Sequence, residues 1–314
     1  MPYLYIIFNP GAGSGTAQSA WQVVKQRLTE TKTDYAVRVV KHHGHTAQLA
    51  HQVGAFAAHK DGVLVVIGGD GTLNQAILGL RSSGNTTMPV AYVPAGNDID
   101  FARAAGISTD PHKAINQVLD ATTSKTIYIG HYNELTYHNS GYFVSTFGVG
   151  LDAAVVYANG GDDEIPFLRR FRYKHGLRIA QLLPAFLNRQ PFGASIHHVG
   201  GNDLLNNLLI CTAVVHPYYA GTELASISPI TAPNLDLVAI RNVNFLHLAY
   251  LLLRLVTGHS NETDVVRHYK GNKLRVTTNT LEFGHVDGHE LGSRLFDLEF
   301  TTVPEQLWVS PIQA

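Results

Sequence analysis

The chain has 314 residues, of which 45% are hydrophobic and 15% charged, an apolar share that can fill more than one core and excludes general disorder. Twenty-three Lys and Arg stand against 24 Asp and Glu, for a net charge of −1, so no global positive field exists to hold nucleic acid. The single cysteine, Cys211, excludes an internal disulfide framework and a cysteine-built zinc site.

Residues 1–10 show neither the basic start nor the small-residue cleavage site of a secretory signal. Leu4–Phe8 is a short apolar run that stops at Asn9-Pro10 and reads as a buried strand. Ala17, Ala20, Trp21, Val24 and Leu28 recur at helical spacing. Tyr35–Val40 is β-rich, Ala47–Ala58 helix-like, and Val63–Ile67 a β-branched run suited to a strand covered on both faces. Leu73–Leu80 follows as a helix, Val90–Val93 as a strand and Phe101–Ala105 as a short helix. Strands alternating with helices predict a doubly wound parallel sheet.

From about Thr126 the pattern changes to short strands: Thr126–Ile129, Tyr142–Val149, Ala194–His198, Leu208–Val215, Leu235–Ile240, Lys273–Thr278, Leu281–Phe283 and Arg294–Phe300. Turn signals such as Gly271-Asn272 and Asp287-Gly288 separate them, which predicts an antiparallel β-sandwich or barrel. Helices are expected near Phe167–Asn188 and over Phe245–Gly258. The expected division is an α/β domain over residues 1–125 and a β-sandwich domain over residues 126–295. Phe245–Val256, the most apolar stretch, contains His247 and Arg254 and is shorter than the ~20 residues that span a bilayer. The expectation is a cytoplasmic protein, or one peripheral at the inner face of the membrane.

The sharpest local signal is Gly68-Gly69-Asp70-Gly71-Thr72-Leu73-Asn74, where a buried strand runs into glycines and then a helix. Glycines let a backbone approach phosphate closely, and a helix N-terminus presents free N–H donors. Asp70 would repel phosphate unless a cation or proton lies between them, which suits it to Mg²⁺ or a reacting hydroxyl. The structural alternative is a strand-to-helix turn with Asp70 as its cap. A second glycine-rich turn, Asn9-Pro10-Gly11-Ala12-Gly13-Ser14-Gly15-Thr16, lacks the Lys of a P-loop and the dinucleotide spacing. A third, Pro94-Ala95-Gly96-Asn97-Asp98-Ile99-Asp100-Phe101, follows the strand Val90–Val93. Turns at successive strand ends would line one crevice, where open α/β sheets bind ligands.

Taken in order, these turns, the segment Gly148-Val149-Gly150-Leu151-Asp152-Ala153 and the late Asp287-Gly288 resemble the diacylglycerol kinase catalytic-domain family of lipid kinases. The resemblance runs over nearly the whole chain. The Gly-Gly-Asp-Gly-Thr block is also shared with NAD kinases. The resemblance implies a nucleotide domain joined to a β-sandwich domain, with ATP in the cleft and a lipid hydroxyl attacking the γ-phosphate. By the same resemblance Gly68–Asn74 contact the ATP phosphates, with Asn9, Pro10, Gly11, Ala12, Gly13, Gly96 and Asn97 nearby. Asp70 handles Mg²⁺, Asp70 and Asp287 organise metal and hydroxyl, and residues 296–314 return to the first domain. A homodimer is compatible with it.

The chain departs from the family pattern at several sites, Val40, Asn97 and Ile99 among them, and most consequentially late in the chain. The family's Asp-Gly-Glu, whose Glu is its proposed base, reads Asp287-Gly288-His289-Glu290. His289 or Glu290 takes the proton, or neither does and catalysis is weakened. A structural Mg²⁺ ligand of the family falls on Ala232, so that second metal site is expected to be absent. Elsewhere, Arg169, Arg170, Arg172, Lys174 and Arg178 interleave with Phe167, Leu168, Phe171, Tyr173 and Leu177. Such a segment either docks on anionic lipid headgroups or forms a solvated face. The adjacent His42-His43-Gly44-His45 and His197-His198 lack zinc-hydrolase spacing and read as solvated or core histidines.

Overall fold

The computed structural model describes residues 2–59, 61–97, 99–154, 186–187, 190–219, 222–223, 227–256 and 265–311. The first half runs β1 (Leu4–Phe8), α1 (Thr16–Glu30), β2 (Tyr35–Val39), α2 (His45–Phe56), β3 (Val63–Gly68), α3 (Asp70–Ser82), β4 (Val90–Pro94), α4 (Asp100–Ala104) and α5 (Pro111–Leu119). Strands β2, β1, β3 and β4 lie side by side, all parallel. Every residue of β1, β3 and β4 is buried, which is why these segments are continuously apolar. Helix α1 buries Ala17, Ala20, Val24 and Leu28, one stripe of its surface. Helices α2 and α3 cross closely because Gly79 has no side chain: a Cβ there would stand 2.1 Å from the Ala47 carbonyl oxygen.

Helix α5 has no counterpart among the predicted elements. Asp110 caps it by accepting from the N–H groups of His112 and Lys113, and Pro111 occupies its first turn.

The second half contains β5 (Ser124–Glu134), β6 (Asn139–Phe143), β7 (Thr146–Gly150), β8 (Phe192–His198), β9 (Gly201–Val214), β10 (Tyr218–Tyr219), β11 (Thr222–Glu223) and β12 (Leu235–Arg241). It continues with α6 (Phe245–Val256), β13 (Val266–Gly271), β14 (Lys273–Thr278), β15 (Glu282–Val286), β16 (His289–Arg294) and β17 (Asp297–Trp308). Apart from β17, whose end also meets β4, these strands pair antiparallel. The architecture is therefore an N-terminal parallel α/β region followed by an antiparallel β region. Its core is aromatic: Phe147 makes edge contacts with Phe143, Phe296 and Phe300 at centroid distances of 6.4, 6.2 and 5.2 Å.

Two sequence expectations are corrected here. Tyr142–Val149 is not one strand but the end of β6 and most of β7, broken at Val144-Ser145. The cause is a carboxylate far along the chain: Asp287 accepts from the N–H groups of Val144, Ser145 and Thr146. The late strands also fall differently, because β15 and β16 form a hairpin about Asp287-Gly288 and β17 begins only at Asp297. The expected Phe167–Asn188 helix, with Arg169, Arg170, Arg172, Lys174 and Arg178, lies almost wholly outside the described residues.

Strand β17 joins the two regions. It pairs with β5 along its whole length, with β14 at its start, and in parallel with β4 at Leu307. Arg81 of α3 meets Glu305 at 2.8 Å with both side chains largely buried, and also donates to the Pro304 carbonyl. The indole N–H of Trp308 donates to the Val118 carbonyl at 2.9 Å. No helix of the described residues is long and apolar enough to cross a membrane.

Candidate active site

The turns after β1, β3 and β4 are tied to one another. Asn9 donates from its side-chain amide to the Thr72 hydroxyl at 3.0 Å and accepts from the Gly11 N–H at 3.2 Å. The Thr16 hydroxyl donates to the Ala95 carbonyl at 2.9 Å, and the Ala95 N–H donates to the Gly68 carbonyl. Gly13 is left-handed, with φ 63°, and a Cβ on it would stand 2.3 Å from the Ala95 oxygen. Only glycine lets these two turns touch. Pro10, Gly11, Ala12, Gly69, Gly71, Gly96 and Asn97 keep exposed surface around this junction, whereas Gly68, Thr72, Leu73 and Asn74 are buried. Leu73 belongs to the core, and Asn74 spends its amide on the Tyr142 carbonyl at 2.6 Å, tying α3 to β6. Asp98 lies outside the described residues.

Asp70 opens α3 and is 4% exposed. One carboxylate oxygen accepts from the Tyr92 hydroxyl at 3.1 Å; the other accepts from the Phe101 N–H at 3.0 Å and the Ser145 hydroxyl at 3.4 Å. Burial pushes its pKa up to about 8 against the pull of the Phe101 N–H, and the negative charges of Asp287 and Asp100 add to the rise.

Asp287 arrives from the other region. Asp287 and Gly288 are left-handed, with φ of 45° and 78°, and turn β15 into β16. Although the residue is only partly buried, its carboxyl group is enclosed and desolvation raises its pKa. The N–H groups of Val144, Thr146 and Ser145, and the nearby His285, pull the other way. Ser145 touches both acids: its N–H donates to Asp287 at 2.9 Å and its hydroxyl to Asp70. The expected carboxylates thus meet at the seam between the regions.

His289 and Glu290 part company. A Cβ on Gly71 would stand 2.9 Å from Cε1 of His289, so this imidazole lies over the first turn of α3. The His43 ring is 5.4 Å away. Glu290, the next residue of β16, points to the opposite side and is exposed.

Several residues of this seam carry no legible sequence signal: Tyr92, Ser145, His216, Thr212 and His285. Asp152 accepts from the Thr212 hydroxyl and lies 3.5 Å from His285. Gly148 leaves room for that pair, since a Cβ on it would stand 2.1 Å from the Asp152 carboxylate and 2.4 Å from His285. Gly148→Ala is expected to destabilise the fold by ~1–3 kcal/mol through overpacking, read from a denaturant midpoint; an unchanged midpoint would show that the pair can move aside.

Among the described residues no cluster of three or more His, Cys, Asp or Glu can hold a metal ion unaided. A Mg²⁺ that arrives on a triphosphate needs only one or two protein carboxylates. Asp70 and Asp287, two enclosed acids raised by desolvation, fit that requirement, because a cation beside them would favour the ionised form of each.

Residues 3–130 match the family described as Diacylglycerol kinase catalytic domain. YtlR of Bacillus subtilis (strain 168), a proposed lipid kinase, is 28% identical over 97% of this chain and 98% of its own length. A diacylglycerol kinase of the same organism is 24% identical over 92% of this chain and 90% of its own. The crystal structure of a proposed diacylglycerol kinase from Bacillus anthracis str. Sterne superposes with a TM-score of 0.74 at 17% identity, covering 99% of this chain and 97% of that one. At that identity the likeness is one of fold.

Proposed function

Because residues 3–130 belong to the diacylglycerol kinase catalytic-domain family, we propose that the protein is a Mg²⁺-dependent lipid kinase that transfers the γ-phosphoryl group of ATP to a hydroxyl of diacylglycerol or a related lipid. The observation that carries this reading is the meeting of Asp70 and Asp287 at Ser145, beside the joined glycine turns. The triphosphate lies along the partly exposed turns of Gly11, Ala12, Gly69, Gly71 and Gly96, at the N-terminus of α3. Bound Mg²⁺ supplies positive charge that offsets the β- and γ-phosphoryl oxygens.

The lipid hydroxyl oxygen forms a bond to the γ-phosphorus as the bond to the ADP oxygen breaks. The hydroxyl proton leaves late, because a loose phosphoryl transition state needs little activation of the nucleophile. His289 is the acceptor we assign, since it lies over Gly71 while Glu290 faces away. Incubation with γ-labelled ATP tests the reading: labelled phosphatidic acid from diacylglycerol supports it, and label on NAD, or on no acceptor across a lipid panel, overturns it.

The lipid must be met at a surface. Leu246 and Tyr250 of α6 and the neighbouring Leu187 are exposed at 80, 54 and 70%. Together with the basic segment around Arg169–Arg178 they suit an anionic bilayer. Vesicle binding is expected to require anionic lipid and to weaken with salt; equal binding to neutral vesicles would contradict it.

A further inference from the structure

Two residues of the seam have no part in the reaction as written, yet they join Asp70 to the antiparallel region. His216, just after β9, is wholly buried. Its Nδ1 accepts from the Tyr218 N–H at 3.2 Å. A neutral imidazole carries one proton, so Nδ1 as acceptor leaves that proton on Nε2. Burial keeps the ring neutral, with its pKa pushed down to about 4. Nε2 lies 3.0 Å from the Ser145 hydroxyl oxygen, which therefore accepts from it and turns its own hydrogen toward Asp70. Every donor in this series points the same way, from the Tyr218 backbone through His216 and Ser145 to the carboxylate.

We infer that Ser145 and His216 are positioning residues for Asp70, a buried, one-directional donor chain that fixes the carboxylate's orientation and makes its placement depend on the junction of the two regions. The inference rests on the proposed catalytic role of Asp70. A carboxylate offers about four acceptor positions. The hydroxyl of Tyr92, the N–H of Phe101 and the hydroxyl of Ser145 occupy three of them, which leaves one free for the metal or the lipid hydroxyl. Without Ser145 the carboxylate oxygen that Phe101 holds loses its second donor. Without His216 the serine hydroxyl is no longer aimed.

Steady-state kinetics of wild type, Ser145→Ala, His216→Phe, their double variant and His216→Gln test the chain. Each of the first two variants is expected to lower kcat about tenfold, the effect of one hydrogen bond to a charged group, with KM for ATP within about twofold. The double variant should be no slower than Ser145→Ala, because both remove the same chain. His216→Gln, whose amide N–H can still reach Ser145, should recover most of the rate. Losses that multiply in the double variant, or a Gln variant as slow as the Phe variant, would overturn the inference. Ser145→Ala removes one oxygen atom and carries the test if His216→Phe does not fold. If wild type transfers no phosphoryl group, the functional reading fails, and ¹⁵N-histidine spectra then decide the chain separately. A His216 resonance protonated on Nε2 that shifts in Ser145→Ala supports it; an Nδ1-protonated ring, or one indifferent to Ser145, overturns it.

Discussion

Asp70→Asn is expected to lower phosphoryl transfer by about 10²–10⁴-fold and, at the same time, to stabilise the metal-free protein at alkaline pH. The first effect follows from the loss of the negative charge that the proposed mechanism sets against the metal and the hydroxyl. The second follows from burial, which raises the Asp70 pKa from an ordinary 3.8 to about 8. A carboxyl raised in the folded state favours folding fully below its ordinary pKa. As pH climbs, the unfolded chain ionises first, and the contribution is lost progressively up to about 8. Asparagine cannot ionise, so the variant should gain on the order of a few kcal/mol over wild type near pH 8 and little near pH 4. Its neutral amide also fits the site, because the Tyr92 hydroxyl can turn its hydrogen to the Gly68 carbonyl, 3.1 Å away, and accept from the new amide. Denaturant midpoints at both pH values, in the presence of a chelator, measure this. A variant equally destabilised at both would show that the carboxylate is held mainly for stability.

Asp287→Ala should destabilise the fold by ~3–5 kcal/mol, a fall in Tm of about 5–10 °C. Its carboxylate satisfies the N–H groups of Val144, Ser145 and Thr146, and these donors would be left at a seam that excludes most water. Alanine would also have to hold a φ of 45°, a left-handed conformation that Asp and Asn tolerate better. Asp287→Asn, which keeps one acceptor oxygen and that tolerance, should cost less than the alanine variant. Equal stability of wild type and the alanine variant in thermal unfolding would contradict this account of the break between β6 and β7.

Legibility in the sequence followed the range of the interactions. Strands β1, β3 and β4 are buried on both faces, so each is a continuous apolar run that needs no partner to be recognised. The glycine turns were legible for a related reason, since positive φ and close backbone approach leave a compositional trace at Gly13. Helix α5 is hard to read in the sequence although its cap is present: Asp110-Pro111 reads as readily as a turn as it does a helix start. The break at Val144-Ser145 had no local signal at all, because the carboxylate that causes it lies 142 residues from Ser145. His216 is the extreme case. Nothing near it in the chain marks it, and its contact with Ser145 exists only once β9 and the β6–β7 turn are packed together. Which of His289 and Glu290 faces Gly71 likewise depends on the hairpin register.

The most direct measurement is a crystal structure of the protein with Mg²⁺ and a non-hydrolysable ATP analogue. The γ-phosphate is expected over Gly69–Gly71, with the cation between it and Asp70 and the His289 ring facing the acceptor side of the phosphorus. A triphosphate seated away from the glycine turns, or a cation that leaves Asp70 untouched, would contradict it.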